Sequence, residues 1–141
     1  MVIGAGGTAG HVVPALAVAD ALRAEGAEVS FVGGERAERT LVPERGYELH
    51  VVAVAPIPRR RPVKAARAAL RDAAAVGRCW RLLDELGADA VLGAGGYVAG
   101  PVGLAGVARR LPLVVMEADS HLGLANRMLA PFARRVCLSF P

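Results

Sequence analysis

The sequence predicts an α/β domain built on one parallel sheet with helices on both faces. Three observations predict it. Short apolar runs alternate with longer stretches in helical pattern, the signature of strand–helix–strand crossovers. Two glycine-rich segments, 4–10 and 93–100, each follow a short apolar run and open a helical pattern, which is where open parallel sheets place their ligand loops. The 141 residues are 54% hydrophobic and only 4% aromatic, with a mean hydropathy of +0.40. The core is therefore aliphatic, and disorder is excluded.

Each element has its own local warrant. Residues 1–3 read as the first strand. A helix is expected over 13–25, with Pro14 in its first turn, where a missing N–H costs little, and Gly26 as its stop. A second strand over 29–32 leads to a short helix over 37–45, closed by Gly46, and a third strand over 49–54. A Pro/Arg loop at 56–62 precedes the longest helix, 63–86, weakened at Gly77 and stopped by Gly87. The fourth strand is 90–92. Pro101 starts a helix over 102–110, and a fifth strand follows at 113–116. A helix over 122–130 has Asp119 or Ser120 as its cap. The last strand is 135–138. The result is a Rossmann-like parallel sheet of about six strands with right-handed crossovers, whose ligand face lies beyond strands one, four and five. The chain ends at Phe140-Pro141, directly after a strand. That reads as a domain boundary, so residues 1–141 are expected to form a single domain of a longer protein.

Composition narrows the function. The net charge is +4, but residues 59–81 hold eight basic side chains against Asp72, a local net of +7. The other residues hold nine basic and twelve acidic side chains, a net of −3. A basic segment on a slightly acidic body implies a local docking surface rather than a nucleic-acid-binding protein, and no aromatic platform accompanies the charge. Cys79 and Cys137 are far apart and form neither a disulfide framework nor a metal motif, which fits a reduced compartment. Two uncharged stretches, 1–19 and 90–108, approach the ~20 residues of a membrane span. Glycine clusters and a proline (Pro14, Pro101) interrupt both, so both read as strand–loop–helix.

The first glycine loop, Gly4-Ala5-Gly6-Gly7-Thr8-Ala9-Gly10-His11, lets the backbone approach a ligand closely, and the helix beyond offers free N–H groups to an anion. It also fits a dinucleotide fingerprint, Gly4-x-Gly6-x-x-Ala9, for which Glu35 is the expected ribose-binding acid. His11 stands at the start of the helix. A neutral imidazole there either accepts a proton as a general base or caps the loop through a hydrogen bond. The second loop, Gly93-Ala94-Gly95-Gly96-Tyr97-Val98-Ala99-Gly100-Pro101, faces the first, and together they suit an extended anion such as a pyrophosphate. Tyr97 is a ligand contact or a loop aromatic resting on the core. Glu117-Ala118-Asp119 follows the fifth strand, with carboxylates placed to bind sugar hydroxyls; Asp119 reads equally as a helix cap.

Three segments carry a resemblance: Gly6-Gly7-Thr8-Ala9-Gly10-His11, the run 93–101, and the stretch from Glu117 through Gly123 to Asn126. In order and spacing they resemble the N-terminal domain of the MurG-type transferases of glycosyltransferase family 28. These are the UDP-N-acetylglucosamine–N-acetylmuramyl-(pentapeptide) pyrophosphoryl-undecaprenol N-acetylglucosamine transferases. The resemblance covers nearly the whole chain. It implies the N-terminal half of a GT-B fold: an acceptor-binding domain facing a C-terminal donor domain across a cleft. It implies transfer of GlcNAc from UDP-GlcNAc, with inversion, to the C4 hydroxyl of a lipid-linked acceptor, turning lipid I into lipid II of peptidoglycan. By this resemblance His11 is the general base, and Gly6, Gly7, Thr8, Gly10, Gly95, Gly96, Tyr97, Glu117 and Asn126 bind acceptor or phosphate. No cofactor or metal is implied beyond the donor substrate. Two departures are visible. Ala9 stands where the family has Gly, and Met116-Glu117-Ala118-Asp119-Ser120 stands where it reads His-Glu-Gln-Asn-Gly.

The basic segment fits the same resemblance. Lys64, Arg67 and Arg71 share a helical face, preceded by Arg59, Arg60 and Arg61 and accompanied by Leu70, Trp80 and Leu83. Such a surface docks on anionic lipid, gaining ~1 kcal/mol per basic residue, or is a solvated face whose apolar side is core. The docking reading places the protein peripherally on the cytoplasmic face of the bacterial plasma membrane. The alternatives are a transferase acting on another acceptor, a non-catalytic anchoring subunit of a split transferase, and an NAD-binding domain.

Overall fold

A computed structural model describes residues 1–54 and 62–140, the side chains of 62–72 excepted. Six parallel strands form one sheet: β1 (Val2–Gly4), β2 (Ser30–Gly33), β3 (Glu48–Val51), β4 (Val91–Gly93), β5 (Leu113–Glu117) and β6 (Arg135–Leu138). Their order is β3-β2-β1-β4-β5-β6. The chain reverses direction across the sheet between β1 and β4, so the switch point lies between their carboxyl ends. The register aligns Gly4 with Gly93, and both with Val32 or Val115 on their outer neighbours.

Alternation along the strands sends side chains to two aliphatic cores. Val2, Val32, Val91, Leu113 and Val115 face one layer, made by α3 (Pro62–Glu85), α4 (Gly96–Ala108) and α5 (Leu124–Leu129). Ile3, Phe31 and Leu92 face the other, made by α1 (Ala9–Ala24) and α2 (Ala37–Glu44). Each fully buried Ile, Leu or Phe contributes roughly 1.5–3 kcal/mol. The six-stranded sheet and its two helical layers are those the sequence predicts.

Three helix starts differ from expectation. Helix α1 begins at Ala9, four residues early, because Thr8 is already the extended N-cap residue (φ −124°, ψ 157°). Helix α4 begins at Gly96 rather than at 102. Two glycines in its interior serve close packing: a Cβ on Gly103 would lie 2.5 Å from Leu129, and one on Gly106 2.8 Å from Val91. Helix α5 is shorter than expected. It starts after Gly123 with no side-chain cap, so neither Asp119 nor Ser120 caps it. A 3-10 turn (Ala130–Phe132) follows. Gly77 does not interrupt α3.

Strand β6 is exposed along its whole length. Val136, Leu138 and Phe140 lie open there, with Leu124, Met128 and Phe132 exposed nearby in sequence. Both cysteines are free, Cys79 in the core and Cys137 on the surface. No helix among the described residues is long and apolar enough to cross a membrane, and no group of three or more His, Cys, Asp or Glu among them is placed to hold a metal ion.

Candidate functional site

The two glycine loops meet at the switch point. The Ala94 N–H donates to the Gly4 carbonyl at 2.9 Å, continuing the β1–β4 pairing into the loops. Gly95 and Gly96 then take positive φ (92° and 74°), and Gly96 lies so close to Gly6 that a Cβ would overlap the Gly6 carbonyl oxygen. Only glycine fits there. The N-termini of α1 and α4 thus open side by side, each with first-turn N–H groups that have no partner within the helix.

His11, in the first turn of α1, lies against the second loop. A Cβ on Gly95 would be 3.4 Å from its Cγ, and one on Gly96 3.2 Å from its Cδ2. Its Nδ1 is buried without a hydrogen-bond partner among the described residues, unlike most buried polar atoms. Nothing there makes His11 a loop cap through that nitrogen. Thr8 and Gly10 are exposed at the mouth of the first loop. The Tyr97 ring rests over Gly7, where a Cβ would lie 3.3 Å from Cε1, and its hydroxyl lies beside Gly34. The Arg36 guanidinium sits 5.6 Å from the ring centroid. Burial, and next the Glu38 charge, raise the Tyr97 phenol above its ordinary value.

Glu117, at the end of β5, is buried and fully engaged. It accepts hydrogen bonds from the Asp119 N–H at 3.2 Å, the Gly123 N–H at 2.8 Å and Asn126 Nδ2 at 3.0 Å. Burial pushes its pKa up, but the two backbone N–H groups, Asn126 and nearby His11 outweigh that and hold it below the usual carboxylate value. Asn126 also donates to the Met116 carbonyl at 3.0 Å, and its Oδ1 is buried without a partner among the described residues. The carboxylate therefore shapes the 118–123 turn, and Asp119, itself exposed, is tied to it through its backbone.

The sequence profile of the glycosyltransferase family 28 N-terminal domain matches residues 1–138. The chain belongs to this family. The UDP-N-acetylglucosamine–N-acetylmuramyl-(pentapeptide) pyrophosphoryl-undecaprenol N-acetylglucosamine transferase of Acidithiobacillus ferrooxidans is 48% identical over 142 residues, covering 100% of this chain and 39% of that enzyme. The enzyme of the same name from Mycobacterium sp. (strain KMS) is 48% identical over 139 residues, covering 96% and 37%. The crystal structure of Acinetobacter baumannii MurG superposes with a TM-score of 0.86 at 33% identity, covering 100% of this chain and 41% of that one. The chain thus spans about two fifths of the length of the curated relatives it matches.

In this family 28 domain, Gly6, Gly7, Thr8, Gly10, His11, Gly95, Gly96, Tyr97, Glu117 and Asn126 all fall at the carboxyl ends of β1, β4 and β5 or on the helices that start there. The basic segment is different. Arg59, Arg60 and Arg61 lie outside the described residues, and Lys64, Arg67 and Arg71 are described only as α3 backbone. Of its apolar companions, Leu83 is core, while Trp80 is exposed with the Arg109 guanidinium 4.5 Å from its ring centroid.

One residue escaped the sequence reading. Glu35, the expected acid of a dinucleotide site, is exposed and pairs with Arg39 at 3.7 Å. The acid at the glycine loops is Glu38, fully buried in the first turn of α2. It accepts from the Gly7 N–H at 2.9 Å and the Gly34 N–H at 2.8 Å. Glu35, exposed and paired with Arg39, is therefore not the acid at the loops, which corrects the fingerprint reading for that residue. The signal for Glu38 was present: a glutamate two residues into a helix that follows Gly33-Gly34.

Proposed function

We propose that this chain is the acceptor-binding domain of an inverting UDP-GlcNAc-dependent glycosyltransferase. In the reaction GlcNAc passes to the C4 hydroxyl of undecaprenyl-pyrophosphoryl-MurNAc-pentapeptide, the step from lipid I to lipid II in peptidoglycan synthesis. The observation that carries the reading is the coincidence of two facts. Enzymes so named match this chain over 96–100% of its length, and the histidine at its paired glycine loops has a buried ring nitrogen with no partner among the described residues.

His11 takes the proton of the acceptor hydroxyl as that oxygen attacks the anomeric carbon, and UDP departs from the opposite face. Hydrogen-bonding groups near Glu117 and Asn126 orient the acceptor sugar, and the paired helix N-termini favour its diphosphate. Most of the donor site belongs to a second domain. In the complete enzyme His11→Ala is expected to lower kcat by about 10²- to 10⁴-fold while the protein stays folded. Turnover near that of the wild type would remove His11 as the base.

The +7 segment supports peripheral attachment to anionic lipid on the cytoplasmic face. Replacing Arg59, Arg60 and Arg61 with Glu is expected to weaken binding to anionic liposomes by about a hundredfold or more, on the order of 1 kcal/mol for each of the three basic residues lost. Equal binding by wild type and variant would return the segment to an ordinary solvated face.

A further inference from the structure

We infer that Glu38 is a positioning residue of the transfer site: its carboxylate clamps the first glycine loop to the loop after β2 and so sets where Tyr97 and His11 stand. The kinetic part of this inference rests on the function proposed above.

The carboxylate is enclosed by glycines. A Cβ on Gly6 would lie 2.8 Å from its Oε1, one on Gly34 2.9 Å from Oε1, and one on Gly33 2.7 Å from its Cγ. With Gly7 as a hydrogen-bond donor, four glycines form its seat. Burying a carboxylate costs several kcal/mol, and an apolar side chain would close the same space more cheaply. What a carboxylate adds is direction. Its two oxygens hold two particular N–H groups, those of Gly7 and Gly34, on two different loops.

Contacts carry that constraint to the chemistry. Gly7, at φ 104°, lies under the Tyr97 ring, and Gly34 lies against the Tyr97 hydroxyl. Gly6 abuts Gly96 through its carbonyl, and Gly95 and Gly96 form the wall against which the His11 ring rests. A shift of the first loop therefore moves the ring that covers it and the surface that supports the base. The same bonds commit the Gly7 N–H to the protein's own carboxylate, so the first loop does not offer that donor to a substrate phosphate.

The test uses the complete transferase carrying this domain, as Glu38→Gln and Glu38→Asp. Glutamine keeps the size but turns one acceptor oxygen into a donor NH₂, and both partners are themselves donors. The expected result is a kcat lower by about 10- to 100-fold with KM changed by less than about threefold. The nuclear magnetic resonance signals of the Gly7 and Gly34 amides should shift together with those of the Tyr97 and His11 rings. Aspartate keeps two acceptors on a shorter stem and should recover part of the lost kcat. Wild-type kcat in the Gln variant, or Tyr97 and His11 signals that do not move, overturns the inference. If the wild type transfers no sugar to a lipid-linked acceptor, the functional reading fails, and the ring signals, which need no turnover, still decide the clamp. Should the Gln variant not fold, Glu38→Asp is read by the same signals with the same two outcomes.

Discussion

The two glycine loops begin with the same four residues, Gly-Ala-Gly-Gly at 4–7 and at 93–96, on strands that pair Gly4 with Gly93, yet they are held in different ways. In the first, Gly7 turns at positive φ, its N–H goes to Glu38, Thr8 stays extended and α1 starts only at Ala9. In the second, Gly95 and Gly96 both turn at positive φ and α4 starts at once. That loop is fixed by backbone contact with Gly6 and by the His11 ring. Identical residues at equivalent places thus do different work. A carboxylate reaching back from α2 decides the first loop, and steric fit decides the second. Farther along the ligand face, after β5, the carboxylate solution recurs: Glu117 orders its own turn through backbone N–H groups.

The largest break of this contrast is Gly96→Ala. It combines φ 74° with overlap on the Gly6 backbone, and neither can relax by a side-chain rotation. A loss of about 3 kcal/mol or more in denaturant unfolding is expected; a loss below ~1 kcal/mol would show that the loops are not locked together.

Glu117→Gln tests the carboxylate side of the contrast. It leaves donors facing an amide and should cost about 1–3 kcal/mol at neutral pH. The wild-type pH dependence follows from the sign of the shift. The folded-state pKa of Glu117 is lowered, so its stabilisation is complete above the ordinary Glu value of about 4.3 and fades as pH falls through the folded value. Melts across that acid range should converge for wild type and variant; a constant gap between them would deny the linkage. The smallest effect belongs to Gly10→Ala. Gly10 has no positive φ, lies in the first turn of α1, and a Cβ there meets only Thr8 Oγ1 at 3.6 Å. Its stability should equal that of wild type or rise by up to about 1 kcal/mol. A loss would mean that every glycine of the first loop is sterically required.

The parallel sheet was legible because apolar triplets such as 90–92 and glycine stops such as Gly26 and Gly87 are local signals. The placement of His11 and Glu117 at the strand ends followed from the same signals. The start of α4 was not legible. Glycine within a helix reads as loop until the partners it lets approach, Leu129 and Val91, are known, and those contacts are long-range. The 122–130 helix was overextended for a related reason: the turn before it is closed by the side chain of Glu117 rather than by a local cap. Glu38 was passed over because its partners are backbone N–H groups, which almost every residue carries, and a glutamate just inside the helix after Gly33-Gly34 reads as an ordinary first-turn acid.

The far end of the sheet carries a different lesson. Among the described residues strand β6 has a neighbour on one side only, so a row of backbone donors and acceptors faces outward beside the open side chains of Val136, Leu138 and Phe140. Such an edge is a template for another extended chain. For the 141-residue chain handled by itself, that open edge favours association as concentration rises.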